Sequence, residues 1–148
     1  MEIKVQPIDP ARRNAKPADE SKLVFGKTFS DHMFMMDYES GVGWRDARIV
    51  PYQDLCLDPA AMVLHYGQGI FEGMKGYRCR DGKIRLFRPQ KNFERFNRSA
   101  FRVCMPEIPT ETQFEILEAL LKLDKDWIPH SVGSSLYIRP TMIATEAA

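Results

Sequence analysis

Residues 64–87, LHYGQGIFEGMKGYRCRDGKIRLF, decide the fold because they join a glycine-rich bend to a hairpin signature. Four glycines between positions 67 and 76 argue against a regular helix throughout. We therefore predict a short helical or turn segment that leads into a strand over residues 74–79. Asp81-Gly82 is a strong signal for a hairpin turn, and residues 84–87 are predicted to form its second strand. The centre of the chain is thus predicted to be antiparallel.

A first helix is predicted directly after this hairpin. Pro89 suits the first turn, where its missing N–H is harmless. Phe93, Phe96 and Ala100 recur at helical spacing and give the helix one apolar face. Pro106 ends it.

A second helix and a strand complete the predicted order. Residues 110–113, TETQ, form a capping-box pattern that begins the helix, and residues 126–129 close it. Its predicted buried stripe consists of Phe114, Leu117, Leu120 and Leu121. Residues 134–145 are predicted to form one buried strand.

The N-terminal part is predicted to hold a second hairpin. Residues 23–38 indicate a strand, the glycines at 41 and 43 a turn, and residues 44–52 the returning strand. Residues 1–22 contain three prolines among charges, which predicts an extended arm. The resulting fold class is α+β, with a largely antiparallel sheet and two helices on one face. The domain spans residues 23–148.

The composition excludes several partner classes. Net charge is +1, from 21 basic and 20 acidic residues, so nothing favours nucleic acid or an anionic membrane as partner. No apolar run approaches the roughly 20 residues of a membrane span, and the first 18 residues lack an apolar leader segment. Cys56, Cys79 and Cys104 lie far apart, which predicts reduced cysteines in a cytoplasmic protein.

Generic motifs point to no metal or nucleotide. Residues 67–73 read G-x-G-x-x-x-G, which misses the dinucleotide fingerprint by one position. Nucleotide binding there requires a helix that begins near Gly69. The three histidines are too scattered to suggest a metal site.

Arg95 lies on the first helix, off its apolar face, so its truncation should leave no core cavity. Its basic neighbours are Arg88, Lys91, Arg98 and Arg102. Such a cluster suits a phosphate, by charge and by paired hydrogen bonds. A solvated basic helix face explains the same pattern, and the residues alone favour that explanation.

Tyr137 and Arg139 lie two apart on the last predicted strand. They therefore face the same side, away from Leu136 and Ile138. A tyrosine beside an arginine could recognise a carboxylate. A surface pair, or a buried arginine bonded to backbone carbonyls, fits equally well.

Several collinear blocks, from about residue 23 to the end, resemble the longer variant of the branched-chain amino-acid aminotransferases. They are residues 64–77, residues 85–89 followed by Asn92, Arg95 and 98–100, residues 24–29 with 31–33, residues 124–129, and residues 137–140. The resemblance implies a fold type IV enzyme that uses pyridoxal 5′-phosphate. In that family a small N-terminal domain, here residues 23–148, covers a cofactor held mostly by a larger C-terminal domain.

The resemblance also implies roles for particular residues. Arg95 matches a residue that contacts the cofactor phosphate. Phe25, Phe71 and Tyr137 match residues that line the pocket for a branched aliphatic side chain. Tyr66 matches a residue that reaches the active site of the partner subunit in a homodimer, and Arg139 matches an arginine that organises the region.

The resemblance assigns no catalytic residue to this chain. The family's cofactor-binding lysine would lie beyond Ala148, and the position of Lys75 in the pattern indicates a solvated residue. Residues 146–148 trail off a strand, which predicts a fragment that is inactive alone. The parent enzyme is expected to move amino groups between leucine, isoleucine or valine and 2-oxoglutarate.

Two other functions remain open at this point. One is another fold type IV enzyme, such as a D-amino-acid aminotransferase or an aminodeoxychorismate lyase. The other is a non-catalytic interaction domain that keeps the fold. An enzyme is distinguished from an interaction domain by whether the gene continues past Ala148 and a lysine follows on a strand of the next domain.

Overall fold

The computed structural model describes all 148 residues and has an α+β fold, as predicted. Its strands are Lys4–Val5 (β1), His32–Glu39 (β2), Gly43–Pro51 (β3), Gly69–Phe71 (β4), Met74–Arg78 (β5), Ile84–Leu86 (β6), Leu136–Ile138 (β7) and Thr141–Ile143 (β8). Its α-helices are Met62–Tyr66 (α1), Pro89–Arg102 (α2) and Thr110–Leu123 (α3). The strands form three small sheets, ordered β1-β3-β2, β4-β8 and β6-β5-β7, and all pairs except β1–β3 are antiparallel.

The N-terminal arm is more ordered than its composition predicts. Lys4 and Val5 pair in parallel with Arg48 and Ile49 of β3. The backbone N–H of Ile8 donates to Nε2 of His32 (3.0 Å), and the N–H of Asn14 donates to Asp31 (2.9 Å). The arm is held by these hydrogen bonds to polar groups of the body, a kind of contact that apolar periodicity cannot reveal.

The first half of the predicted strand over residues 23–38 is wrong. Residues 25–27 form a turn in which Gly26 has a φ of 74°, and β2 begins only at His32. The apolar residues in this segment are exposed rather than paired: Val24 is 62% and Phe25 69% exposed. The prediction fails here because hydrophobicity alone does not distinguish a strand from an apolar loop.

Two segments of the chain form one interrupted antiparallel ribbon. Phe71 of β4 pairs with Thr141 of β8, and Met74 of β5 pairs with Ile138 of β7. Both ladders therefore keep the same register across the gap between them. The single buried strand predicted over residues 134–145 is instead divided into β7 and β8 at Arg139 and Pro140, and only Met142 of these two strands is buried.

Helices α2 and α3 bury the faces that their spacing predicts. One core cluster contains Met74, Phe93, Leu117, Leu121 and Ile128, and a second contains Phe96, Ala100, Met105, Ile108 and Met142. Phe114 is an exception at 41% exposed, although its ring packs edge-on against Phe93 with centroids 4.8 Å apart.

The predicted capping box of α3 is wrong. Thr110 is already helical, the N-cap is Pro109, and no side chain caps the helix. The helix also ends earlier than predicted, at Leu123, and residues 125–127 form a separate 3-10 turn. None of the helices is both long and apolar enough to cross a membrane.

Candidate functional site

The break in the ribbon is the most unusual feature of the fold. Glu72 and Gly73 lie between β4 and β5, opposite Arg139 and Pro140 between β7 and β8. Pro140 has no N–H to donate, so the ladder cannot continue through it. One bond remains, from the N–H of Glu72 to the carbonyl oxygen of Pro140 (2.9 Å).

Four of the six predicted site residues meet on one face of this break. The guanidinium carbon of Arg139 lies 5.3 Å from the ring centroid of Phe71, 5.2 Å from that of Tyr137 and 6.0 Å from that of Phe25. The Phe25 and Tyr137 rings meet edge-on at 4.9 Å. The predicted shared side of Tyr137 and Arg139 is thus seen in the structure. We call Phe25, Phe71, Tyr137 and Arg139 the aromatic cluster.

The charge of Arg139 is not neutralised within the chain. Arg139 forms no ion pair, and its neighbours are the three aromatic faces. Aromatic faces stabilise a guanidinium but do not use its hydrogen-bond donors. The cluster therefore presents free donors next to apolar surface, which suits a small carboxylate that carries an aliphatic group.

Gly73 makes room for Tyr137. A Cβ atom built on Gly73 would lie 2.9 Å from Cζ of Tyr137 and still closer to its hydroxyl oxygen. Real Cβ atoms do not approach other atoms this closely, so the tyrosine ring can lie against the backbone between β4 and β5 because position 73 is glycine. Gly73 thus helps to place the ring within the aromatic cluster.

Tyr66 lies outside the aromatic cluster. It ends α1, is 69% exposed, and makes its aromatic contact with the adjacent His65 at 6.5 Å. Lys75 is exposed on β5 and pairs across the strands with Tyr137. The structure brings neither residue into contact with the cluster's arginine.

Glu72 is a buried carboxylate surrounded by hydrogen-bond donors. Its side chain is only 4% exposed. Arg95 of α2 binds it with two donors: Nε bonds to Oε1, and Nη2 bonds to Oε2 at 2.8 Å. Asn92 Nδ2 donates to Oε2 at 2.9 Å, and so does the N–H of Gly73 at 3.1 Å. These four donors make the ionised carboxylate compatible with burial.

Burial and hydrogen bonding have opposite effects on the pKa of Glu72, and together they determine its charge state. Burial acts to raise the pKa of Glu72, but the hydrogen bonds from Arg95, Asn92 and Gly73 outweigh it and hold the pKa below its ordinary value of 4.5. The same pairing raises the pKa of Arg95. Both groups are therefore charged at neutral pH.

Arg95 differs from its basic neighbours on α2. Lys91 pairs with the exposed Glu94, whereas Arg98 and Arg102 form no ion pair. Arg95 alone reaches a buried carboxylate, yet its own side chain remains 57% exposed and its Nη1 has no protein partner. The predicted solvated basic face is thus present, but Arg95 is tied to the ribbon.

Glu72 and Asn92 are the important residues of this site that sequence reasoning did not single out. A signal existed: Asn92 and Arg95 are three apart and share one side of the helix. Their common partner lies more than 19 residues earlier in the chain, and helical periodicity gives no information about so distant a contact.

Comparison with known proteins adds close sequence relatives. The chain is 55% identical over 134 residues to branched-chain-amino-acid aminotransferase 2 of Bacillus subtilis strain 168, covering 90% of this chain and 37% of that protein. It is 51% identical over 131 residues to the branched-chain-amino-acid aminotransferase of Dictyostelium discoideum, covering 88% and 35%. The chain is a homologue of the branched-chain-amino-acid aminotransferases. It spans about a third of the length of these relatives, and no family model matches it.

Solved aminotransferases share the fold. The Escherichia coli branched-chain amino acid aminotransferase superposes with a TM-score of 0.56 at 22% identity, covering 68% of this chain and 31% of that one. A second branched-chain amino acid aminotransferase, from T.th., gives a TM-score of 0.53 at 27% identity, covering 67% and 31%. The latter structure is a complex with N-(5′-phosphopyridoxyl)-L-glutamate.

Proposed function

We propose that this chain is the small N-terminal domain of a pyridoxal-phosphate-dependent aminotransferase for leucine, isoleucine and valine, with 2-oxoglutarate as amino-group acceptor. Residues 23–148 form the domain and residues 1–22 its arm, and a larger domain in the rest of the protein holds most of the cofactor. The observation that carries the proposal is the aromatic cluster around the unpaired Arg139.

The aromatic cluster supports a substrate with one aliphatic end and one anionic end. Phe25, Phe71 and Tyr137 offer apolar surface, and burial of each substrate CH₂ is worth roughly 0.8 kcal/mol. Arg139 offers free donors at the same place. A branched-chain 2-oxo acid or amino acid has both features, and the second carboxylate of glutamate or 2-oxoglutarate is a further anionic group for the arginine.

Arg95 fits the phosphate of the cofactor. Its side chain is largely exposed, its charge is secured by Glu72, and Nη1 remains available as a donor. Pyridoxal phosphate, when bound, supplies the electron-withdrawing ring system that makes the amino-acid α-carbon acidic. Arg95 would bind and orient the phosphate, while the aromatic cluster would orient the substrate and exclude water. We assign no covalent or proton-transferring role to a residue of this chain.

The exposed apolar surface supports burial of this face in the whole protein. The chain exposes 10196 Å², whereas a compact protein of 17.1 kDa exposes about 7,700 Å². Phe25, Tyr66 and Phe71 are each at least 65% exposed. A second domain and a second subunit would cover them, so we propose a homodimer in which Tyr66 extends towards the partner's site. We further propose a cytoplasmic location.

Transamination by the protein that carries this chain is the direct test. Purified protein with pyridoxal phosphate is expected to convert L-leucine, L-isoleucine and L-valine with 2-oxoglutarate, and to form glutamate at the same rate. Activity with D-alanine but not with the branched L-amino acids would contradict the proposal in favour of another fold type IV enzyme. Absence of turnover and of cofactor binding would indicate a non-catalytic domain.

A further inference from the structure

We infer that Glu72 is a positioning residue. Its carboxylate orients Arg95 to bind the cofactor phosphate, and its contact with Gly73 connects that phosphate-binding arginine to the aromatic cluster. This inference rests on the proposed function, because it gives Arg95 a phosphate to bind. The geometry of the Glu72 carboxylate within the broken ribbon carries it.

The mode of contact fixes the arginine. Nε and Nη2 of Arg95 both bind Glu72, which holds the guanidinium plane along one edge. Nη1 is then the end of the guanidinium without a protein partner. An arginine side chain loses considerable rotamer freedom when it binds a ligand. Glu72 has already removed that freedom, so a phosphate meets a prearranged donor.

Burial separates this pair from the ordinary ion pairs of the chain. In every other pair that involves an arginine or lysine, the carboxylate is at least 45% exposed, whereas Glu72 is 4% exposed. Exposed pairs have little effect on stability or geometry. A buried carboxylate with four donors is fixed in place, so it can act as an anchor for an exposed arginine.

The Glu72 carboxylate is also connected to the aromatic cluster, through the backbone of Gly73. The N–H of Gly73 donates to Glu72, and Asn92 donates both to Glu72 and to the carbonyl oxygen of Gly73 (3.0 Å). Gly73 is the residue across which the Tyr137 ring lies. Phe71, on the other side of Glu72, contacts Arg139. The buried carboxylate of Glu72 thus holds both the backbone of Gly73, against which the Tyr137 ring lies, and the guanidinium of Arg95.

The experiment compares Glu72→Gln with Glu94→Gln in the whole protein. Glu94 lies beside Arg95 on α2 and also pairs with a basic residue, Lys91, but it is exposed. Affinity of the apo-protein is measured for pyridoxal 5′-phosphate and for pyridoxal, which lacks the phosphate. Loss of an anchored charge-assisted contact is expected to weaken phosphate-ester binding by about tenfold. The affinity of Glu72→Gln for pyridoxal should stay within about twofold of wild type, since pyridoxal has no phosphate for Arg95 to bind.

The two affinities distinguish a positioning role of Glu72 towards the phosphate from a general effect of Glu72 on the fold. Equal weakening towards both ligands, or no weakening towards either, would overturn the inference while leaving the proposed function intact. Wild-type protein that fails to bind pyridoxal phosphate at all would overturn the proposed function and the inference together. Thermal melts of the apo-proteins check folding. Should Glu72→Gln fail to fold, Glu72→Asp, which keeps the charge but withdraws it by one methylene, is expected to show the same split between the two ligands.

Discussion

The ring of Tyr137 lies against the backbone of Gly73 so closely that a Cβ atom on Gly73 would be 2.9 Å from Cζ of the tyrosine. The tyrosine ring also meets the ring of Phe25 edge-on, with centroids 4.9 Å apart. Position 73 therefore controls the shape of the aromatic cluster, although glycine itself contributes no side chain to it.

Gly73→Ala should distort the substrate site. The new methyl group must displace the Tyr137 ring, and overpacking of this kind costs typically about 1–3 kcal/mol. We expect KM for L-leucine in the whole protein to rise by roughly ten- to a hundredfold if that cost falls on substrate binding. Gly76→Ala is the matched control, because a Cβ there meets only ordinary contacts of 3.8–4.0 Å. Similar KM values for the two variants would contradict the role of Gly73.

Glu72 should give the domain an acid-sensitive component of stability. The folded pKa of Glu72 lies below its ordinary value of 4.5, so the ionised carboxylate stabilises the fold above pH 4.5. That contribution is lost as the pH falls through the folded pKa. Glu72→Gln lacks it at every pH.

Denaturant unfolding of wild type and Glu72→Gln at several pH values measures this effect. The wild type is expected to be more stable by roughly 1–3 kcal/mol at neutral pH, the cost of disturbing a buried charged group. The difference in free energy of unfolding between wild type and Glu72→Gln should become smaller below pH 4.5. A gap that is constant from neutral to acid pH would show that the charge of Glu72 is unimportant. Glu94→Gln, which alters an exposed pair, should show almost no gap.

His32 should hold the N-terminal arm. It is 7% exposed, its Nδ1 lies 2.6 Å from the buried Asp124, and its Nε2 accepts the N–H of Ile8. Because Nε2 is an acceptor, the ring proton lies on Nδ1 and donates to Asp124. Removal of the acceptor weakens the attachment of the arm, whose other contacts include the β1–β3 pairing and the hydrogen bond from Asn14 to Asp31.

His32→Phe should therefore make the arm more sensitive to protease. Loss of a hydrogen bond worth about 1 kcal/mol increases the open population roughly fivefold. Tryptic cleavage after Arg12 and Arg13 is expected to accelerate by about that factor when opening is fast relative to cleavage. His65→Phe is the control, since His65 is exposed and its hydrogen bond is to the carbonyl oxygen of Pro59 rather than to the arm. Equal cleavage rates in the two variants would show that His32 does not hold the arm.

The parts of this structure that local patterns determine could be predicted, and those that depend on distant polar contacts could not. The apolar faces of α2 and α3 follow from helical spacing, and the hairpin at Asp81-Gly82 follows from turn chemistry. The ribbon break follows from Pro140 only after the pairing with Glu72 is known. The Glu72–Arg95 pair joins residues from a loop and a helix, and no periodicity connects them.

The roles implied for the individual site residues remain predictions, and their arrangement explains why. The structure gathers Phe25, Phe71, Tyr137 and Arg139 by contact, which strand alternation predicts only for the last two. Phe25 comes from an irregular turn after the arm. Tyr66 lies outside the cluster and is 69% exposed, and the role proposed for it requires a second chain.

The cofactor affinity of Arg95→Ala measured beside that of Arg102→Ala tests the account most directly. Both arginines are exposed on α2, but only Arg95 is anchored by Glu72. In the apo-form of the whole protein, Arg95→Ala is expected to weaken pyridoxal phosphate binding by roughly ten- to a hundredfold, the loss of a charge-assisted phosphate contact. Because Glu72 then loses two donors, the apo-protein should also melt at a lower temperature, whereas Arg102→Ala should match wild type in both measurements. Equal cofactor affinities for the two variants would contradict the assignment of this site.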